Sequence, residues 1–149
     1  MRIVSVLHLL SHLRWFFLIW MIGQLIFIFS DISNNTPSSV GNAIFIAGLL
    51  MGFTSLSDSA RMSKKQMEKL RNPKFVKFQF IGFFSSVAIL VLVSMLFFSV
   101  RFIFSSAEQS VLNDFTKLGY DCLVMLLGIL CLIKQFTDQV DYVKSHVGN

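Results

Sequence analysis

The sequence predicts an all-α fold, a four-helix transmembrane bundle with its N- and C-termini on the cytoplasmic side. Three observations lead there. Apolar residues make up 54% of the chain and charged ones 14%, where soluble domains carry roughly 25% charged residues. The apolar residues gather in four runs, of about the length that crosses a ~30 Å hydrocarbon core. The Lys and Arg residues gather between and beyond those runs on one side, and cationic loops stay cytoplasmic. A single domain of 149 residues with 17 Phe and a mean hydropathy of +0.69 leaves large apolar patches if solvated by water. A lipid bilayer covers them. The net charge of +5 is concentrated at one end of the spans, so it marks orientation and not direct nucleic-acid binding.

Residues 2–14 read as an amphipathic segment. Arg2, Ser5, His8 and His12 repeat at three or four and share one helical face. Such a segment lies on the inner leaflet or extends the first span. His8 and His12 have metal-ligand spacing but no evident third ligand, so no metal is expected. The stretch does not read as a cleaved signal, because charged and His residues break its apolar run. The first span covers about 15–30, with Trp15 as an interfacial anchor. Gln24 lies mid-span, where an amide needs a partner on another helix or lines a polar path.

Residues 31–36 form a short turn without Lys or Arg, and Pro37 suits the first position of the next helix. The second span covers about 37–57 and is rich in small residues. Gly41, Gly48 and Ser55 repeat at seven, and Gly48 with Gly52 makes a G-x-x-x-G. Such a stripe admits another backbone at close range, within the chain or between copies.

The segment 58–76 is the basic hairpin. It carries Arg61, Lys64, Lys65, Lys69, Arg71 and Lys74, and with Lys77 just beyond it these are a candidate surface for anionic lipid head groups or an acidic cytosolic protein partner. It is expected to continue helically from the second span, with Met62, Gln66, Lys69 and Leu70 on one side. Asn72-Pro73 ends it, because proline cannot extend the helical ladder.

The third span covers about 77–104. Ser86 and Ser94 on it bond to their own helix or across to a neighbour, or join Gln24 along a pore. Arg101 near its outer end and Asp121 near the start of the fourth span, about 118–134, are expected to pair as an intramembrane ion pair. Residues 105–117 are the outer loop. The tail, 135–149, carries an apolar stripe of Phe136, Val140 and Val143, with Asp138 and Asp141 placed to meet the basic hairpin. Cys122 and Cys131 stand nine residues apart, about 900° of helical rotation and ~13 Å of rise. They point to opposite faces and cannot bridge within the chain. Eleven of the thirteen Lys and Arg residues fall on the inner side of this plan, and only Arg101 and Lys117 fall outside.

No phosphate-binding loop, no His-Glu-x-x-His and no Cys-x-x-Cys occurs, so no enzyme and no cofactor are expected. In plan, with four short spans, a basic hairpin at 58–76 and a charged tail at 135–149, the chain resembles small four-span membrane proteins of bacterial and prophage defence, the RexB-like and Kiwa KwaA-like proteins. It is a likeness of plan and brings no site residues with it. The resemblance implies sensing of envelope disturbance, depolarisation of the membrane, or recruitment of a cytosolic effector. The expectation is therefore a small, homo-oligomeric, multi-pass protein of the inner membrane that acts as a membrane sensor or a docking subunit for a cytosolic partner. The alternatives are an oligomeric ion channel that depolarises the membrane and a membrane immunity protein against a toxin.

Overall fold

The computed structural model describes residues 13–30, 37–56, 62–104 and 108–147. Among these residues the structure is helical throughout: α1 (Leu13–Ser30), α2 (Pro37–Thr54), α3 (Lys64–Arg71), α4 (Pro73–Ile103) and α5 (Gln109–Val147). The all-α class therefore holds. Two helices, Pro73–Ile103 and Gln109–His146, are long and apolar enough to cross a membrane by length and composition. The other two apolar helices, α1 and α2, have 18 residues each. The amphipathic segment with His8 and His12, the turn at 31–36 and Arg61 lie outside the described residues.

Local chemistry sets the boundaries. The basic segment does not continue from the second apolar helix as the sequence suggested; α3 starts afresh at Ser63. The Ser63 hydroxyl accepts from the Gln66 amide at 3.3 Å, and the Gln66 side chain accepts from the Ser63 amide at 2.9 Å. This reciprocal capping box satisfies two amides that a helix start otherwise leaves orphaned. Asn72 then serves two helices. Its backbone N–H closes α3 on the Lys69 carbonyl, and its side chain accepts from the Lys74 amide at 3.0 Å to open α4. Pro73 stands in the first turn of α4, where its missing N–H costs nothing.

α5 departs most from the expected plan. An outer loop at 105–117, a span at about 118–134 and a helical tail at 135–149 were expected, yet Gln109–Val147 is one helix of 39 residues, about 58 Å long at 1.5 Å per residue. Nothing within it stops a helix. It contains no proline, and its two glycines, Gly119 and Gly128, both lie against neighbouring helices.

The four long helices form an open row in the order α1, α2, α5, α4, with α3 laid across α4 and α5. A four-helix transmembrane bundle was expected. Among the described residues, however, α1 touches only α2, and α4 does not reach α1 or α2. The cause lies in α5, which offers two different faces. One, with Leu118, Asp121, Met125 and Gly128, meets α2. The other, with Phe115, Gly119, Tyr120 and Phe136, meets α4. The remaining circumference of α4 is exposed and mostly apolar, Phe78, Leu92 and Phe102 included.

Ring contacts give the directions. Phe17 stacks on Phe53 at 5.1 Å, so α1 and α2 run antiparallel. Phe98 meets Tyr120 at 5.1 Å and Phe80 meets Phe136 at 5.3 Å, so α4 and α5 are also antiparallel. α2 and α5 run parallel, since Gly41 lies against Asp121 while Gly48 lies against Met125 and Gly128. One end of the row thus gathers the start of α1, the end of α2, α3, the start of α4 and the end of α5.

The α4–α5 seam is fixed by Ser94. Its hydroxyl donates to the Gly119 carbonyl at 3.1 Å across the two helices, and the residue is buried. Ser94→Ala is expected to lower stability by about 0.6 kcal/mol, the average for such bonds between membrane helices. Ser86 donates to Gly82 of its own helix at 2.9 Å and is exposed, so Ser86→Ala should leave stability unchanged. Unfolding titrations of both variants in mixed micelles measure the difference.

Candidate functional site

The basic end carries a distinct cap. α3 is short and strongly polar, and its two inward residues are Leu70, buried, and Met67, half-buried. Leu70 packs with Val140 and Val143 of α5, and Met62, Met67, Phe75, Val76 and Phe136 close around them. The expected stripe of Phe136, Val140 and Val143 does face the basic segment. The inward side of that segment differs from the expected one, because Gln66 is committed to the capping box and Lys69 is exposed. Asp138 and Asp141 are exposed, and no ion pair ties either to the cap among the described residues. Apolar burial holds the cap together.

The cations divide into two sets. Lys64, Lys65, Lys69 and Lys74 are exposed, and Lys65 and Lys69 lie opposite the Met67–Leu70 face by helical geometry. Arg71 and Lys77 lie instead at the rim of a groove of about 650 Å³ bounded by α3, α4 and the end of α5. Lys144 of α5 joins them there. Sequence reasoning did not single out Lys144 as a site residue, although its i+4 spacing from Val140 placed it beside the docking stripe.

The small-residue stripe is used within the chain over its first half. Gly41 sits directly on the Asp121 carboxylate. A Cβ on Gly48 would lie 2.7 Å from the Met125 backbone, and one on Gly128 would run into the Gly48 carbonyl. Gly52 has open space around it, and Ser55 donates back to the Gly52 carbonyl at 2.6 Å. Gly128 was the unrecognised partner; a single glycine in a long apolar helix carries little signal until its neighbour is known.

Arg101 and Asp121 do not pair. Ser94 opposite Gly119 sets the register, so Arg101 lies about 13 Å further than Asp121 from the basic end, measured along the helix axes. They also belong to different seams. Asp121 is buried against α2, with its Oδ2 lacking a hydrogen-bond partner, while Arg101 is exposed on α4. The charge within electrostatic reach of Asp121 is Lys117, one turn outward, whose Nζ donates to Asn42 Oδ1 at 2.9 Å.

The residues considered for a polar path are not brought into line. Gln24 is half-buried on α1, Ser86 is exposed on α4, Ser94 lies in the α4–α5 seam and Asp121 in the α2–α5 seam. Cys122 is buried, Cys131 is exposed, and both are free thiols. No family model, curated protein or solved structure matches the chain.

Proposed function

We propose that the protein is a membrane-embedded docking subunit whose cationic cap recruits an acidic cytosolic partner. In this reading α1, α2, α4 and the middle of α5 all cross the bilayer. Eighteen-residue helices fall inside the 17–25 range for spanning segments. The excess of Lys and Arg places the cap on the cytosolic side. The observation that carries the reading is α3 itself. A helix of eight residues is too short to persist alone in water, yet this one is capped at both ends and anchored through Leu70. That anchorage holds Lys64, Lys65 and Lys69 outward, beside Lys74 at the start of α4, with only Glu68 among them. A fixed array of one sign favours a partner of complementary charge and speeds its association.

The test replaces Lys64, Lys65, Lys69 and Lys74 together by Gln. Membranes carrying either form are incubated with cytosolic extract, and bound proteins are quantified at low and high salt. The wild type should retain an acidic partner that salt releases, and the variant should retain at least tenfold less while inserting normally. Equal, salt-insensitive retention by both forms overturns the reading.

A further inference from the structure

The groove beside the cap has a chemistry of its own. Its wall on α4 is built from residues that share one helical face: Pro73, Val76, Lys77, Phe80, Ile81 and Phe84. Their spacing of three and four keeps them in line along the helix. From Lys77 to Phe84 this face descends about 10 Å, from the level of the cap into the apolar part of α4. The opposite wall is Val140, Val143 and Lys144 of α5, and Leu70 and Arg71 of α3 close the top. Ile81 and Phe84 are 57% and 62% exposed, so the groove opens sideways, away from the rest of the row.

Charge is confined to one end. Arg71, Lys77 and Lys144 ring the top, the lower part is wholly apolar, and no carboxylate is among the described residues that line it. An acidic helix of a protein partner would leave Phe80, Ile81 and Phe84 uncovered, and a free anion would use none of the apolar wall. An amphiphile with a negative head and a hydrocarbon tail uses both.

We propose that this groove binds one anionic phospholipid. Its phosphate lies among Arg71, Lys77 and Lys144, and an acyl chain lies along Val76, Phe80, Ile81 and Phe84. The planar Arg71 fork suits two phosphate oxygens at once, and the two lysines add point charges. The proposal rests on the docking reading only in placing this end of the row at the bilayer surface. It uses a different set of cations from the outward lysines of α3. The bound lipid would fill the space between α3, α4 and α5, so the cap would be set partly by the lipid composition around it.

The test uses purified full-length protein in nanodiscs of phosphatidylcholine with a minor fraction of phosphatidylglycerol, and intact-mass measurement of the lipid kept on release. The wild type should keep one phosphatidylglycerol per chain in preference to phosphatidylcholine. Arg71→Gln with Lys77→Gln and Lys144→Gln should weaken that retention about 100-fold, at roughly fivefold per cation near the surface. Ile81→Trp leaves every charge in place but fills the apolar slot, and should weaken it at least tenfold. The four-lysine Gln variant of the cap should keep the lipid while losing the partner, which separates the two proposals. The proposal is overturned by equal retention of the two lipids, by full retention in either groove variant, or by displacement with millimolar inorganic phosphate.

Discussion

Gly48→Ala should destabilise the protein by about 1–3 kcal/mol, the usual cost of forcing atoms into a filled interior. The added Cβ has no room, since it would stand 2.7 Å from the Met125 backbone. Backbone cannot swing aside as a flexible side chain does, so α2 and α5 must separate along the seam. Packing is what holds helices together in lipid, where tails are as apolar as leucine. Losing that contact loosens the row at its middle. Gly52→Ala and Gly23→Ala supply the comparison, because neither position has a neighbour within 4 Å. There the better helix propensity of alanine should leave stability unchanged or raise it by up to about 1 kcal/mol. Thermal unfolding in mild detergent, followed by far-ultraviolet circular dichroism, reads all three variants. If Gly48→Ala matched Gly52→Ala, the two backbones would not be in contact.

Leu70→Ala should release α3 while leaving the long helices in place. Leu70 is the buried residue of α3, seated on Val140 and Val143. Truncating a buried leucine costs about 2–5 kcal/mol, and an eight-residue helix has little intrinsic stability to resist it. Trypsin reports the opening directly, because Lys64, Lys65, Lys69 and Arg71 all lie on the helix. Cleavage there should rise roughly 30-fold or more, the ratio that corresponds to the lower end of that range. Leu70→Met conserves volume and should stay close to wild type. An unchanged cleavage rate in Leu70→Ala would mean that α3 does not depend on its apolar anchor.

How much of this was legible in the chain depended on the kind of signal. The helical class followed from apolar runs without strand alternation. The Asn72-Pro73 boundary followed from what proline does to a ladder, and the docking stripe of Phe136, Val140 and Val143 from spacing at three and four. The errors share one cause, which is that each needed a neighbour. Arg101 and Asp121 each stand three residues inside the expected spans, 77–104 and 118–134, but only the Ser94–Gly119 contact reveals the stagger that parts them. The face of α3 was misjudged because Gln66 was counted with the packing side before its role at Ser63 was known. The open row was hidden for a related reason. A long helix that is apolar over most of its circumference shows no preferred side, so α4 carries no mark of how many helices it touches. Gly128 is invisible until Gly48 is placed beside it.

The uninterrupted course of α5 has a mechanical consequence. A rod of about 58 Å does not absorb a local push at one end. A tilt of about 5° around its midpoint displaces each tip by roughly 2.5 Å, which is comparable to the shifts that repack helix interfaces. The buried carboxylate of Asp121 lies about 10 Å to one side of that midpoint and the Val140–Val143 anchor about 20 Å to the other. A displacement entering the α2–α5 seam therefore arrives, undiminished by any hinge, beneath the exposed lysines of α3.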